Sequence, residues 1–540
     1  MMIDRAKGWG PDMVEHAAQQ LAEAIVAHAP TGWTRAILTR TADYRSVSAA
    51  GNYSAPDSPP WGHFIPSPFT ELDALAAALR EARGWERVSI EIECRPSGRY
   101  RMVAATDAVT SLRGRGGGFL AVLDPGHRLV QPGAEQEEGT AQPLGDPHLA
   151  AARFHQYMEQ RQQILGRPEP LPPAASAAEI DDAEHGMGRA LPADLRALYL
   201  IADGDGIDHK HHYVLADYAW LRLADLVAAN TDLREPNWFG WEMDWDHVVF
   251  DADPPETVRR CGGHPGWLPF ASGEDGNYLA VDMAPARDGR PGQVIRIGRD
   301  YRDGPTYVAD SVTSLLGHHL EALEETEYEL DGGDDEQQGA YLTLPEPDPV
   351  GGPREVVGAI PDDVPSTLQA IHINDAGLVD LAPLTAAPGL RRLHLNRSAT
   401  ADLSPLRGLP VEALRVTLDG GDLAPLAGHR HLAALELAAA DPINIAPLCT
   451  IPGLRAVDLA RAEVLDLTVL SYLTGLRYLA LNREQWAALL GQGLVPPKLA
   501  AVRLADDDAL FDEALAWSSL LGLDSPDAVR AAGNLGTADR

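Results

Sequence analysis

The stretch LRRLHLNRSATADLSPL, residues 390–406, decides the fold of the last third of the chain. Leu390, Leu393 and Leu395 follow an LxxLxL pattern, and a DLxPL pattern begins at Asp402. In a short strand this spacing points the leucines inward, and the DLxPL step turns the chain back while adding two more leucines to the next layer. Because one such unit cannot bury its apolar face alone, the pattern predicts a stack of repeats.

Both patterns recur at a fixed period. LxxLxL segments begin at Leu368, Leu390, Val411, Leu432, Leu454, Leu476 and Leu499, in steps of 21 to 23 residues. DLxPL-like segments lie between them at 380–384, 402–406, 422–426, 444–448 and 466–470. This resembles the leucine-rich repeats of bacterial proteins, which implies a solenoid over residues 363–505 and protein binding rather than catalysis.

The fifth position of each LxxLxL segment is expected to point outward. It is basic or potentially basic in the first three repeats and acidic in the next two: His372, His394, Arg415, Glu436 and Asp458. Two interpretations stay open, a solvated strand face and a charge-patterned protein-binding face. Helical spacing in residues 506–523 predicts a helical cap, so residues 506–540 are expected to form a cap and tail.

Length and charge limit the class of protein. A chain of 540 residues predicts two to four domains, and a net charge of −35 argues against nucleic-acid binding and suits a basic partner. Three distant cysteines predict no disulfide framework. We see no signal peptide and no run of about 18 apolar residues, so we expect a cytoplasmic protein without membrane contact. The abundance of Ala, Arg, Gly and Pro is typical of a GC-rich bacterial genome.

Segments rich in Gly, Pro and acidic residues divide the chain. We predict linkers at 131–149 and 328–362, which leave domains at 1–130, 150–327 and 363–505. The expected fold class is α+β multidomain, with two α/β-sheet domains followed by the leucine-rich-repeat solenoid.

A second informative stretch is ALPADLRALYLIADGDGIDHKHH, residues 190–212. Pro192 suits a helix start, an apolar stripe of helical spacing follows, and Gly204 suits the helix end. The acidic residues from Asp203 onward do not fit an EF-hand loop, and zinc at His209, His211 and His212 lacks an identifiable partner. We therefore interpret the stretch as helix punctuation and a polar loop, without a metal.

The elements around this stretch resemble the SUKH superfamily, whose members include a yeast cell-wall-assembly regulator and many bacterial immunity proteins. The resemblance covers most of residues 150–327. The matching positions are Ile180, Glu184, Gly188, Leu191, Pro192, Leu195, Leu198, Tyr199, Asp203, Gly204, Trp267, Pro269, Phe270, Gly276, Val281 and Asp282. It implies an α+β fold, a sheet flanked by helices, and a domain that binds and blocks a toxin protein.

Three tryptophans lie among acidic residues in NWFGWEMDWDHVVF, residues 237–250. Trp238, Trp241 and Trp245, with Asp244, are candidate partner-binding residues because tryptophan is enriched at binding hot spots. Packing in a core is the open alternative.

The N-terminal part combines helices with strand alternation, as in Val88, Ile90, Ile92 and Cys94, whose side chains should share one face. It resembles YezG-like immunity proteins at Trp85–Ile92 and Gly98–Tyr100.

The sequence contains no G-x-S-x-G, HExxH, CxxC or phosphate-loop motif. We therefore expect no enzyme, cofactor or metal. The favoured hypothesis is a bacterial immunity or antitoxin protein that binds and neutralises a basic toxin domain. The alternative is an intracellular regulatory scaffold that binds an endogenous protein through its repeats. A third hypothesis is an unrecognised hydrolase that uses His209–His212 and nearby acidic residues.

Overall fold

A computed structural model describes most of the chain. The described residues are 11–42, 47–56, 63–66, 68–106, 109–111, 117–206, 213–331, 341–344, 353–523 and 527–536. The molecule is a mixed α/β structure that contains several sheets.

The N-terminal part is an antiparallel sheet with helices. Its elements are α1 (Pro11–Ala27), β1 (Arg35–Ala42), β2 (Val47–Ser54), β3 (His63–Phe64), α2 (Phe69–Arg83), β4 (Val88–Cys94), β5 (Arg99–Ala105), β6 (Thr110–Ser111) and β7 (Phe119–Val122). Val88, Ile90, Ile92 and Cys94 share one apolar cluster with residues of both helices, as their alternation predicts. Glu91, on the opposite face, is also buried, because the backbone N–H of Phe511 donates to its carboxylate.

The middle part holds helices around a five-stranded antiparallel sheet of order β12-β11-β10-β9-β8. Its elements are α3 (Pro147–Leu165), α4 (Ala177–Met187), α5 (Ala193–Tyr199), β8 (Ala219–Trp220), α6 (Leu223–Asp232), α7 (Trp241–Asp244), β9 (Trp267–Ser272), β10 (Asn277–Asp282), β11 (Gln293–Gly298), β12 (Thr306–Ala309), α8 (Val312–Glu324), β13 (Glu329–Asp331) and β14 (Tyr341–Thr343). Trp267 and Phe270 are core residues.

The predicted first linker is attached to the middle domain. Its residues 132–134 form a 3₁₀ turn, and Arg259 Nη1 donates to the carbonyl oxygens of Gly133 and Gln136 at 3.1 and 2.7 Å. A side chain at Gly133 would approach the Arg260 backbone to about 2.9 Å, so glycine is required there. Much of the second predicted linker, residues 332–340 and 345–352, lies outside the described residues.

The repeats form a stack of parallel strands, one strand per LxxLxL segment. The seven strands are β16 (Ala370–Leu378), β17 (Arg392–Ala399), β18 (Ala413–Leu418), β19 (Ala434–Ala439), β20 (Ala456–Arg461), β21 (Tyr478–Leu481) and β22 (Ala501–Leu504), with helix α9 (Arg483–Gln492) before the last strand. An eighth parallel strand, β15 (Glu355–Gly358), precedes the first LxxLxL segment and pairs with β16. The leucines that the pattern points inward are at most 2% exposed: Leu393, Leu395, Leu435, Leu437 and Leu479.

Each DLxPL step forms a short 3₁₀ turn, and its first residue explains why aspartate or asparagine recurs there. The side-chain oxygen of Asp380 accepts from Ala382 N at 2.9 Å, and Asp402 and Asp422 repeat the contact with Ser404 and Ala424. These oxygens satisfy backbone donors that the turn leaves without a partner.

The two ends of the chain interlock, which the sequence did not predict. After α10 (Phe511–Leu520), the expected cap helix, the tail forms β23 (Ala528–Asn534), which pairs antiparallel with β5 as an edge strand of the N-terminal sheet. In return, β7 pairs antiparallel with β22 and extends the repeat sheet. Residues 1–130 therefore do not complete their sheet alone.

Replacing Leu435 with alanine is expected to reduce the free energy of unfolding by about 2–5 kcal/mol, because Leu435 is fully buried and its loss leaves a cavity. Denaturant titration followed by circular dichroism measures this. Leu465→Ala, at a residue that is 66% exposed, is the matched control and should cost about 0.5 kcal/mol or less. A similarly small loss at Leu435 would show that the strand register is wrong.

Candidate protein-binding face of the repeats

The outward face of the repeat sheet is divided lengthwise by a segment of the middle domain. The third residue of LxxLxL is alanine in five of the seven segments: Ala370, Ala413, Ala434, Ala456 and Ala501. All five are at most 2% exposed, since residues 241–250 pack on them with Trp241, Trp245, Val248 and Phe250 in one apolar cluster. Alanines leave room there for large aromatic side chains to approach the sheet.

Two of the three predicted anchor tryptophans fill this interface. Trp241 and Trp245 are 2% and 3% exposed and both stack on Tyr478, with ring centroids 6.3 and 5.1 Å apart. Trp238 is half-buried, with the Arg128 guanidinium 5.3 Å from its ring centroid. Trp241 and Trp245 are thus core residues, and core packing, the alternative, is what the structure adopts.

Asp244 also acts inside the molecule. It is 3% exposed, its Oδ2 accepts from Phe239 N at 2.7 Å, and it forms an ion pair with Arg302. These contacts hold the 237–250 segment in its turn, so Asp244 is not available as an exposed partner contact.

Ion pairs fix the middle domain on the repeats. Arg391 Nη2 lies 2.6 Å from Asp251 Oδ2, and Arg392 Nη1 lies 3.1 Å from Asp303 Oδ2. His247 Nε2 also contacts Asp303, at 3.0 Å. Burial alone would raise the pKa of Asp303, but His247 and Arg392 together hold it well below its ordinary value. The carboxylate therefore stays charged across the interface at neutral pH.

The charged residues at the fifth LxxLxL position, here called the charged column, lie beside the covered alanines. The middle domain also covers the first part of this column. His372 and His394 contact each other with ring centroids 4.7 Å apart, and His394 and Arg415 lie 3.9 and 3.8 Å from Asp246 of the middle domain. Further along, Arg415 Nε donates to Glu436 Oε2 at 2.6 Å. His394 and Arg415 thus belong to the interface between the repeats and the middle domain.

The column continues into an open groove at the carboxyl ends of the strands. The groove has a volume of about 850 Å³ and is lined by five arginines and five acidic residues: Arg397, Arg415, Arg461, Arg483, Arg503, Glu436, Asp458, Glu484, Asp506 and Asp507. Glu436 also pairs with Arg461, and Asp458 Oδ2 lies 3.8 Å from Arg503 Nη1. Glu436 and Asp458 therefore remain candidate partner-binding residues.

Asp458 gives the groove a pH-sensitive carboxylate. Burial, followed by the negative charge of Glu436, raises the pKa of Asp458 to about 6. The unfolded chain ionises this group near pH 4, so the folded state holds the proton more tightly between the two values. Asp458 consequently reduces stability as pH rises from about 4 to 6.

Asp458→Asn should remove this pH dependence. The variant is expected to match the wild type near pH 4 and to exceed its unfolding free energy by about 2 kcal/mol near pH 7, because asparagine cannot ionise. Denaturant titrations across this pH range measure the difference. Asp441→Asn, on the surface of a neighbouring repeat, is the control and should leave the wild-type profile unchanged. A wild-type profile in Asp458→Asn would rule out this assignment.

The acidic residues Asp203 and Asp205, which precede His209, accept hydrogen bonds from backbone N–H groups. Gly204 adopts a left-handed φ of 86°, but α5 already ends at Tyr199 and its cap residue Leu200 is right-handed, so the prediction that Gly204 ends this helix is wrong and Gly204 lies in the following loop. Asp205 Oδ2 accepts from Val214 N and Trp220 N at 3.0 and 2.9 Å, and Asp203 Oδ1 accepts from Leu223 N at 2.9 Å. These carboxylates attach β8 and the start of α6 to the loop that follows α5. His209, His211 and His212 lie outside the described residues.

The residues that the structure describes contain neither a metal-binding cluster nor a membrane-spanning helix. Within them, no group of three or more His, Cys, Asp or Glu is placed to hold a metal ion. In the same part of the chain, no helix combines the length and apolarity that crossing a membrane requires.

Comparison with known proteins connects the middle domain to a family. Residues 174–318 match the SMI1 / KNR4 family (SUKH-1). The cell wall biosynthesis/cell cycle regulator smi1 of Schizosaccharomyces pombe is 28% identical over 181 residues, which cover 31% of this chain and 34% of that protein. The glucan synthesis regulatory protein of Neurospora crassa is 41% identical over 73 residues, 14% of each chain.

The cell wall assembly regulator SMI1 of Saccharomyces cerevisiae is 34% identical over 83 residues, 15% of this chain and 16% of that protein. The chain spans about a third or less of the length of the curated relatives it matches.

Among solved structures, an internalin (inlF) from Listeria monocytogenes has 23% identity and a TM-score of 0.22, covering 25% of this chain and 45% of that chain. An internalin C2 (inlC2) from the same species has 26% identity and a TM-score of 0.20, covering 22% and 52%. The family match and the curated relatives establish the middle domain: residues 174–318 of this chain are an SMI1/KNR4 (SUKH-1) domain.

Proposed function

We propose that the chain is a regulatory scaffold that binds a partner protein in the groove of its repeats. The observation that carries this proposal is the balanced set of charged side chains lining the groove. Such a surface selects a partner by complementary charge, because a mismatched charge is left without a counterpart. In the solenoid that we propose for the repeats, the groove runs across successive strands and suits an extended polypeptide.

The relatives agree with a regulatory role. The fungal proteins that share the SUKH-1 domain are named as regulators of cell wall assembly and glucan synthesis. We extend only the regulatory character to this chain, since the shared part is short.

The internal interface limits where a partner can bind. The row of alanines at the third LxxLxL position is already covered by Trp241 and Trp245, so the surface left for a partner is the groove, whose lining residues all lie between Leu395 and Asp507. Because both sides of the groove are fixed by ion pairs and strand pairing, little ordering is required on binding. Preorganisation of this kind favours affinity.

The test is a charge reversal in the groove. Arg397→Glu with Arg461→Glu reverses two exposed groove residues. Arg407→Glu with Arg430→Glu makes the same charge change at exposed residues on the turn side of the repeats. Tagged wild type and both double variants are used for quantitative affinity capture from the native cell, followed by a binding measurement with the purified candidate partner.

We expect the groove variant to bind a specific partner at least about tenfold more weakly, while the turn-side variant binds within about twofold of the wild type. The scaffold proposal fails if every captured protein binds all three chains equally. It also fails if the turn-side variant loses as much affinity as the groove variant.

The immunity function is the second candidate, and the net charge of −35 is the observation that favours it. An acidic protein is steered toward a basic toxin face, with an association rate that falls as salt rises. Co-expression with a toxin domain encoded beside this gene distinguishes the two candidates. Rescue of growth that depends on the chain would favour immunity, whereas no rescue would leave the scaffold.

A further inference from the structure

A second groove, separate from the repeats, lies in the middle part of the chain, and more than half of its lining residues follow the SUKH-1 match at 174–318. It is bounded by α8, the β13–β14 pair and the sheet face formed by β10 to β12, and its volume is about 1040 Å³. Apolar side chains contribute to its wall, among them Leu215, Leu279, Val308 and Leu344. The space is large enough for several side chains of a bound polypeptide.

The groove carries an excess of negative charge. Four exposed glutamates line it, Glu321, Glu325, Glu327 and Glu329, against a single guanidinium from Arg296. Among the residues that the structure describes, none of the four carboxylates has an ion-pair partner at 4.0 Å or less. They differ in this respect from the repeat groove, where the charges are largely paired with each other.

A buried histidine supplies an independent observation. His319 lines the groove and is only 8% exposed, yet its Nδ1 has no hydrogen-bond partner within the described part of the chain. Burial, with a smaller contribution from the positive charge of Arg161, lowers the pKa of His319 to about 3. The imidazole is therefore neutral at physiological pH and offers a polar nitrogen to a ligand. An unsatisfied buried nitrogen is costly, so a ligand that contacts it gains affinity.

We propose that this groove binds a basic amphipathic segment of a partner protein, with lysine or arginine side chains against the four glutamates and apolar side chains against Val308, Ala322 and Leu344. Charge complementarity selects this occupant: unpaired carboxylates around an apolar wall attract cations that carry apolar neighbours and repel acidic segments. The site is distinct from the repeat groove and does not depend on it.

The experiment uses the full chain and a fluorescent synthetic peptide that alternates lysine and leucine, followed by anisotropy. Glu321→Lys with Glu325→Lys should weaken binding at least about tenfold, because two attractive charges become repulsive. Glu159→Lys with Glu324→Lys changes the same charge at exposed positions of α3 and α8 that do not line the groove, and should stay within about twofold. His319→Leu should weaken binding about threefold through loss of the polar contact.

Several outcomes would overturn the proposal: no binding to the wild type, equal binding of a glutamate–leucine peptide, or an equal loss in the control double variant. Spermine binding as tightly as the peptide would replace the protein segment by a small polycation. The Arg397→Glu, Arg461→Glu variant should bind the peptide like the wild type, so failure here is distinguishable from failure of the scaffold function.

Discussion

Trp245→Ala is expected to lower the free energy of unfolding by about 3–5 kcal/mol. Its indole is buried between the SUKH-1 domain and the repeats and stacks on Tyr478, with ring planes 16° apart. Truncation removes this contact and leaves a cavity against the alanines at the third LxxLxL position. Their side chains are too short to fill it. Denaturant titration of the full chain measures the loss, and proteolysis of residues 237–250 should accelerate in parallel.

Trp238→Ala is the matched control in the same segment. This tryptophan is half-buried and contacts Arg128, so its truncation should cost about 1 kcal/mol or less. Equal losses at the two positions would contradict the interface, because they would show that Trp245 is no more buried in solution than Trp238.

The second large effect is expected at a buried ion pair in the middle part of the chain, just before the SUKH-1 domain. Arg161 makes two hydrogen bonds to Glu169, from Nε to Oε2 and from Nη2 to Oε1, each 2.9 Å long. The two side chains are 0% and 1% exposed. Glu169→Ala should reduce the unfolding free energy by about 3–5 kcal/mol, because the guanidinium stays buried without its counter-charge. Thermal and denaturant unfolding of the variant test this.

A double variant separates charge from packing at this site. Arg161→Met with Glu169→Leu replaces both partners by apolar side chains of similar size, which for buried pairs is often neutral or stabilising. We expect it to recover most of the stability lost in Glu169→Ala, to within about 1 kcal/mol of the wild type. A double variant as unstable as Glu169→Ala would show that packing, and not the unpaired charge, causes the loss.

The interface between the middle domain and the repeats covers part of the strand face that we predicted to bind a partner. A strand face of leucine-rich repeats is an obvious place for a partner, and its outward charges led us to propose His372, His394 and Arg415 as contacts. The structure assigns His394 and Arg415 to Asp246 of the same chain and leaves the groove beyond Glu436 open. Partner binding therefore remains a prediction for the groove residues, Glu436 and Asp458.

Parts of the site could have been found from the sequence. The alanines at the third LxxLxL position recur as regularly as the leucines, and a row of small side chains on a sheet face indicates that something packs closely against it. Tyr478 interrupts this row and meets the two tryptophans. No local pattern, however, indicates that residues 237–250 are the occupant, because that contact joins positions more than a hundred residues apart.

The sequence by itself determined the leucine-rich repeat pattern, the SUKH resemblance and the start of a helix at Pro192. These depend on periodicity, capping and turn chemistry, which neighbouring residues settle among themselves. Only the tertiary structure decided that β23 completes the N-terminal sheet, that β7 extends the repeat sheet, and that Trp241 and Trp245 are internal. Such contacts depend on shape and charge matched across distant segments, and an edge strand or an aromatic side chain can be satisfied by many partners until the whole chain is folded.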